Sequence, residues 1–199
     1  MAKRTAAARK SAAKSRTRAK AAAHAKTPAR TVPGAKSSDA SDTLGAIERL
    51  LYRQADLLDT KHWQDFIDLF ADDGIYWMPA SPEQTTGEGV PSIFWEDRDL
   101  MTVRMKRMDH PRAWSQKTAW GTNHVVSNVV IERQDPRTGE VVARSRFHMM
   151  EFRNDISRHF AGSYIHHFER KKDGYRIKLQ RVDMVNAQGP YEYVLQAWV

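Results

Sequence analysis

The sequence predicts an α+β fold in which amphipathic helices come first and a long antiparallel sheet follows. Between residues 44 and 108 the large apolar side chains recur mostly every three or four positions, as in a helix with one buried face. From Trp120 onward, valine-rich and alternating segments are separated by turn sequences, as in strands. A bent sheet wrapped over the helices is the simplest way to bury both sets of apolar faces.

The first predicted helix carries an apolar stripe from Leu44 to Leu58. Residues 41–43, Ser-Asp-Thr, offer N-caps. Residues 59–60, Asp-Thr, break the helix, and Asp59 can cap the next one. The spacing that defines the stripe is i, i+3, i+7, i+11 and i+14, at Leu44, Ile47, Leu51, Ala55 and Leu58.

A second helix is predicted from Trp63 through Phe70, because Trp63, Phe66, Ile67 and Phe70 stand at i, i+3, i+4 and i+7. Residues 72–74, Asp-Asp-Gly, end it. Residues 75–78 then form a short strand that stops at Pro79, and a loop covers residues 80–91.

The third predicted helix runs from about Ser92 to Met108. Acidic residues 96–97 in its first turn and basic residues 106–107 in its last turn match the helix dipole. A methionine stripe at helical spacing comprises Met101, Met105 and Met108. Buried core is the default interpretation of this stripe, and a flexible subunit interface is the alternative.

Five strands are predicted in the second half, with turns at residues 135–139 and 173–174. Within the fourth, the buried face changes sides, which predicts a bulge near Gln180. The strands cover residues 120–132, 140–153, 157–170, 175–187 and 191–199.

The chain divides into a basic tail, residues 1–42, and a near-neutral body, residues 43–199. The tail holds eleven Lys/Arg and two Asp and therefore carries about +9, so the body carries −1 of the total +8. The tail has no Leu, Ile, Phe, Trp or Tyr, which predicts disorder. Three roles stay open: a dispensable extension, a weak salt-sensitive nucleic-acid anchor, or an organelle transit peptide. No apolar stretch is long enough for a membrane span.

The absence of cysteine fits a cytoplasmic protein and excludes disulfides, zinc–thiolate sites and a Cys nucleophile. It also means that this chain cannot supply the two cysteines of a Rieske cluster. The eight histidines do not indicate a metal site either. His166 and His167 are adjacent on a strand and face opposite ways, and His148 shares its strand face with Arg144 and Arg146.

A general acid/base group is the remaining chemical possibility. Asp59, His62, Tyr76 and His124 come from segments that can line a pocket between helix and sheet, and a His–Asp pair with a Tyr can run a dehydration or isomerisation. The competing interpretation is that Asp59 caps a helix and His124 occupies a polar strand face. No phosphate loop, dinucleotide fingerprint or serine elbow is present.

Several short segments follow one another in a characteristic order and spacing. They are LYRQA (51–55), LD (58–59), Trp63, FADD (70–73), YWMPA (76–80), DRDLM (97–101), Arg104, Arg107 and NHVVSNV (123–129). This series resembles the small (β) subunit of aromatic-ring-hydroxylating dioxygenases, and within that family it looks closest to the branch acting on aromatic carboxylates such as benzoate. The resemblance spans about residues 44–199, and the tail departs from it.

This resemblance implies a cone-shaped, nuclear-transport-factor-like fold and a hexamer of three large and three small subunits. It places the Rieske [2Fe-2S] cluster, the mononuclear non-heme iron and the substrate pocket in the large subunit, which a reductase or ferredoxin supplies with electrons. It implies no catalytic, cofactor-binding or metal-binding residue in this chain. A stand-alone lyase or isomerase using Asp59 and His124, and a nucleic-acid-associated protein acting through its tail, are the alternatives.

The apolar content of the body also predicts contact with neighbouring subunits. Trp95, the methionine stripe and the apolar C-terminal strand at residues 191–199 exceed what one conical sheet can cover, so we expect the third helix or the C-terminal strand to touch a neighbouring subunit.

Overall fold

A computed structural model describes residues 37–190 and 194–199. The predictions for residues 1–36, including the disorder of most of the tail, lie outside these residues. No described helix is both long and apolar enough to cross a bilayer. The helices are α1 (Ser37–Asp59), α2 (Trp63–Ile67) and α3 (Arg98–Met108), with one 3₁₀ turn at Trp114–Gln116.

The sheet has six strands in the order β2-β1-β6-β5-β4-β3. Neighbouring strands are antiparallel except β1 and β6, which run parallel near the middle of the sheet. Helix α1 packs across β3, so the helices cover one face of the sheet. The strands are β1 (Phe70–Pro79), β2 (Ser92–Glu96), β3 (Trp120–Gln134), β4 (Val141–Arg153), β5 (Ile156–Lys171) and β6 (Gly174–Met184).

The first helix is confirmed, but its predicted start is wrong. Helix α1 begins at Ser37, so the three proposed N-cap residues 41–43 lie inside it. Thr43 is buried there and its hydroxyl accepts a hydrogen bond from Gln134 in β3, 3.4 Å away. The contact with β3 thus replaces the capping role expected of this residue.

The second helix is shorter than predicted, because Phe70 belongs to β1. The backbone N–H of Ile177 in β6 donates to the carbonyl of Leu69 at 2.9 Å, which starts sheet pairing directly after α2. Asp59 does not cap α2: His62 occupies the N-cap position, and no side chain caps it. The capping interpretation of Asp59 is therefore wrong.

The third predicted helix is two elements. Ser92–Glu96 forms β2, which pairs with β1, and the helix begins only after Asp97. The Asp97 side chain accepts a hydrogen bond from the backbone N–H of Leu100 at 2.9 Å, which fixes the helix start. Glu96 is not in the first helical turn; from β2 it forms an ion pair with Arg104 of α3.

Two further predictions concern burial. The bulge is confirmed: Phe168 and His167 of β5 pair with Ile177 and Leu179, so Lys178 is the extra residue. The burial pattern of β6 changes sides there. The core interpretation of the methionine stripe is also confirmed, since Met101 and Met108 are buried and Met105 packs against the core.

The predicted C-terminal strand is wrong for the described residues 194–199, which have no strand structure. Leu195, Ala197, Trp198 and Val199 are instead buried in the core of this chain. These residues, like Met101 and Met108 of the methionine stripe, are covered within this chain and are not exposed to another subunit. That the third helix contacts a neighbouring subunit stays a prediction.

Candidate functional site

A partly buried Asp–His pair joins the end of α1 to β3. The Nδ1 atom of His124 lies 2.6 Å from Asp59 Oδ1, and the backbone N–H of His124 donates to Asp59 Oδ2 at 2.8 Å. The Thr122 hydroxyl donates to Oδ1 at 2.9 Å. Three donors from one strand therefore hold the carboxylate, and the carboxylate in turn fixes the orientation of the imidazole.

This local structure follows from strand geometry. Thr122 and His124 are two residues apart on β3, so their side chains emerge on the same face, opposite the last residue of α1. Burial alone raises the pKa of Asp59, but the hydrogen bonds and charge interaction with His124 outweigh burial and hold it below its ordinary value. The carboxylate is therefore ionised at neutral pH.

The other two residues of the predicted acid/base group lie elsewhere. The His62 ring is 2.8 Å from the Thr60 hydroxyl at the exposed α1–α2 turn. Tyr76 is buried on β1, where its hydroxyl contacts the backbone of Val199 at 3.1 Å, and burial raises its pKa well above the usual range. Only Asp59 and His124 of the four form a pair.

The free ring nitrogen of the pair faces the interior between helix and sheet. His124 Nε2 is buried and has no hydrogen-bond partner among the described residues. The space beside it has no volume that admits a water-sized sphere. It is lined by Leu51, Gln54, Ala55, Leu58, His124, Val126 and Tyr164.

A second polar group lies deeper in the sheet and was missed by the sequence reasoning. Gln54 of α1 donates to the side-chain oxygen of Gln180 on β6 at 2.7 Å, and both side chains are buried. Gln180 pairs in register with His166, which is fully buried. Burial, helped by His167, lowers the pKa of His166 to about 3, so this ring is neutral.

For His166, the burial could have been predicted from the alternation of apolar residues along β5. Phe160, Gly162, Tyr164, His166 and Phe168 occupy alternate positions and all are buried. Tyr164 and His166 therefore share a face on the interior side, as period-two spacing requires. Gln54 gave no comparable signal, because a polar residue beside a helical apolar stripe is ordinarily exposed.

Chemically, the Asp59–His124 arrangement is that of an oriented acid/base group, but no substrate can reach Nε2 in this conformation.

In the part of the chain that the structure describes, no three His, Cys, Asp or Glu side chains could hold a metal ion. His166 and His167 face opposite sides as predicted. His148 lies diagonally opposite His159 on the neighbouring strand, with Nδ1 and Nε2 3.0 Å apart, on the exposed sheet face.

A family described as the ring hydroxylating beta subunit matches residues 53–188, and the chain belongs to that family. It is a small subunit of a multicomponent aromatic-ring dioxygenase, and this membership implies a large-subunit partner.

The curated relatives of the chain are also small subunits of aromatic-ring dioxygenases. The small oxygenase component of the p-cumate 2,3-dioxygenase system of Pseudomonas putida is 30% identical over 145 residues, covering 72% of this chain and 79% of the relative. The 2-halobenzoate 1,2-dioxygenase small subunit of Burkholderia cepacia is 24% identical over 141 residues, covering 68% and 84%.

A solved structure supports the fold. The β subunit of benzoate 1,2-dioxygenase from Burkholderia mallei superposes with a TM-score of 0.60 at 23% identity, covering 75% of this chain and 95% of that one. The predicted α+β cone of the nuclear-transport-factor-like kind is confirmed by this likeness.

Proposed function

We propose that this chain is a structural, non-catalytic small subunit that supports a large subunit in dihydroxylating an aromatic ring. The observation that carries the proposal is the filled interior beside His124 Nε2, which leaves the oriented Asp59–His124 pair without room for a substrate. Asp59 and His124 then serve to tie α1 to β3, which is a stabilising role.

The residues present do not fit the redox groups of such an enzyme. A Rieske cluster needs two cysteines and two histidines, and the sequence has no cysteine. The mononuclear iron of non-heme oxygenases needs two His and one carboxylate on one site, and the described residues bring no such group together. Both groups therefore belong to the large subunit in this proposal, and no step passes through this chain.

The proposed assembly is a hexamer of three large and three small subunits in which electrons from a reductase or ferredoxin enter through the large subunit. The names of the relatives include halobenzoate, toluate, p-cumate and benzoate dioxygenases. Biphenyl, chlorobenzene and benzene dioxygenases are also among the relatives. Together the names support a benzene-ring compound, with or without a carboxylate, as the substrate class of the assembled enzyme.

The test is turnover of the reconstituted enzyme with Asp59→Asn or His124→Ala in this chain. A general acid or base contributes about 10²–10⁴-fold, whereas a structural pair should leave turnover within several-fold once assembly is verified. The isolated chain should also hold no stoichiometric iron by elemental analysis. A loss of about a hundredfold or more in assembled enzyme, or one iron per purified chain, would place chemistry in this subunit.

A further inference from the structure

Helix α3 exposes apolar residues on its outward face. Leu100 is 50% exposed and Val103 62% exposed, while Met101 and Met108 on the opposite face are buried in the core. The helix is therefore apolar on two sides, although one amphipathic face is enough to hold a surface helix. The outward apolar residues need another explanation.

Directly beyond the helix end is a concavity of about 650 Å³. Trp114, one of the residues that line it, is 81% exposed. Lys117 places its ammonium group 3.1 Å from the centre of the Trp114 indole ring. The concavity is lined by Lys106, Arg107, His110, Arg112, Ala113 and Trp114.

The same region carries uncompensated positive charge. Lys106, Arg107, Arg112 and Lys117 are exposed, and Asp109 is the only acid in residues 106–117. Among the described side chains of residues 41–190 and 194–199, no carboxylate forms an ion pair with these four cations. The net charge of the body is −1, so this basic cluster is a local feature.

Several arginines elsewhere in the body form ion pairs with carboxylates of this chain. Arg98 at the start of the same helix binds Asp68 and Asp72 at 2.9 and 3.2 Å. Arg104 binds Glu96, and Arg181 binds Asp183 at 2.8 Å. The arginines that hold the fold together have carboxylate partners within this chain, whereas the cations beside Trp114 do not.

We propose that the α3 surface, defined as Leu100, Val103, Lys106, Arg107, Arg112 and Trp114, docks an acidic segment of the large subunit. The proposal rests on the proposed function. Carboxylates of the partner would pair with the cations, and its aliphatic side chains would cover Trp114 and the two exposed aliphatic residues. Trp and Arg are the side chains that most often dominate binding energy at such contacts.

Two other occupants fit the surface less well. A second copy of this chain bound around a two-fold axis would bring two such cationic clusters together, because a two-fold interface uses the same patch on both subunits. Nucleic acid would use the cations through its phosphates but would leave Leu100 and Val103 exposed to water. An acidic protein segment uses both the charges and the apolar side chains.

The first test reverses two charges and measures assembly with the purified large subunit. The variant Lys106→Glu/Arg107→Glu should bind the large subunit at least about tenfold more weakly, with a shallower salt dependence. The matched control, Arg137→Glu/Lys172→Glu, reverses two cations at the exposed β3–β4 and β5–β6 turns and should bind like the unaltered chain. A parallel neutral variant, Lys106→Gln/Arg107→Gln, removes both positive charges without placing acidic residues in the last turn of α3. Weaker binding by this variant as well shows that the loss does not come from damage to the helix.

The second test locates the contact. Zero-length carbodiimide coupling of the assembled enzyme should join Lys106 or Lys117 to an Asp or Glu of the large subunit. In addition, the variant Trp114→Ala should weaken assembly without lowering the melting temperature of this chain. Equal affinity of folded charge variants, or couplings of these lysines only to another copy of this chain, would overturn the proposal. If the unaltered chain fails to assemble at all, the proposed function itself is wrong.

Discussion

At the scale of single residues, His166 is kept neutral by the groups around it. Its ring stacks on Phe168 with centroids 5.3 Å apart and contacts Tyr164 edge-on at 5.4 Å. Burial is the main cause that lowers its pKa from 6.5 to about 3, with a smaller contribution from His167, and the Gln180 side chain opposes the change only in part. The core therefore contains an imidazole that does not titrate in the physiological range.

Folding stability should depend on pH through this residue. Between pH 6.5 and about 3 the unfolded chain binds a proton at His166 that the folded chain does not, so stability falls as the pH is lowered through that window. The slope from one such group approaches about 1.4 kcal/mol per pH unit. Urea denaturation at several pH values between 4.5 and 6.5 gives the free energy of unfolding as a function of pH. That free energy should change less steeply with pH for His166→Gln, and as steeply as in the unaltered chain for the exposed His110→Gln.

The candidate site could be predicted only in part at this scale. Asp59 and His124 were identified because His and Asp are the residue types for acid/base chemistry, and they do meet. Tyr164, the aromatic residue that lines the space beside them, was missed, and Tyr76 was placed there instead. Sequence patterns give the face of a strand but not which strands neighbour each other, and that neighbour relation decides which tyrosine is near His124.

At the scale of elements, β5 approaches its neighbours too closely at Gly162 for any side chain. A Cβ atom there would lie 2.1 Å from the backbone oxygen of Asp183 and 2.8 Å from the Phe147 ring. The glycine therefore lets β6 and the aromatic core close around β5. Gly121, on β3, has nothing within 4 Å of the same hypothetical atom.

Gly162→Ala should destabilise the fold by about 1–3 kcal/mol, which is the usual cost of forcing extra atoms into a packed core. Gly121→Ala is the matched control, since it adds the same methyl group to a strand without a clash. Denaturant unfolding of both variants measures the difference. Equal stability of the two would mean that β6 can move aside and that the close approach is not required.

The elements differ from prediction where long-range pairing competes with local periodicity. Phe70 continues the helical spacing of α2, yet its backbone joins the sheet beside β6. Residues 92–96 look like the start of a helix, yet they pair with β1 across the loop at 80–91. The long strands β3 to β6 were predicted closely, because each is joined to the next by a short turn that is visible in the sequence.

At the scale of the whole molecule, the C-terminal segment 194–199 ties distant elements together. Trp198 is fully buried, with ring centroids 5.8 Å from Trp63 and 5.0 Å from Phe66 of α2. Its indole N–H donates to Glu96 on β2 at 3.1 Å. One side chain therefore joins helix, sheet edge and chain end.

Trp198→Ala should lower the free energy of unfolding by about 3–5 kcal/mol, because it leaves a large cavity and removes the indole donor to Glu96. Val194→Ala alters the same segment at an exposed position and should have little effect. Thermal unfolding monitored by near-ultraviolet circular dichroism compares the two. A melting temperature unchanged by Trp198→Ala would mean that the segment is dispensable for the core.

The tail can be tested apart from the body by cutting before α1. Residues 1–36 contain eleven Lys/Arg and no acidic residue, so the full chain should bind duplex DNA weakly, with affinity that falls steeply as salt is raised. The chain 37–199 should lose this binding but keep its melting temperature and its assembly with the large subunit. Binding that is insensitive to salt, or retained after truncation, would contradict the electrostatic interpretation.

The parallel pairing of β1 with β6 has a consequence for how the chain is made. The hydrogen bond between Tyr76 and Val199 joins residues 123 positions apart, and the one between Gln54 and Gln180 spans 126. During translation, Trp63 and Phe66 leave the ribosome long before Trp198 arrives to cover them. High contact order slows folding. The apolar surface of α2 therefore stays uncovered until Trp198 has been synthesised, and in this interval the nascent chain is exposed to aggregation and to chaperones.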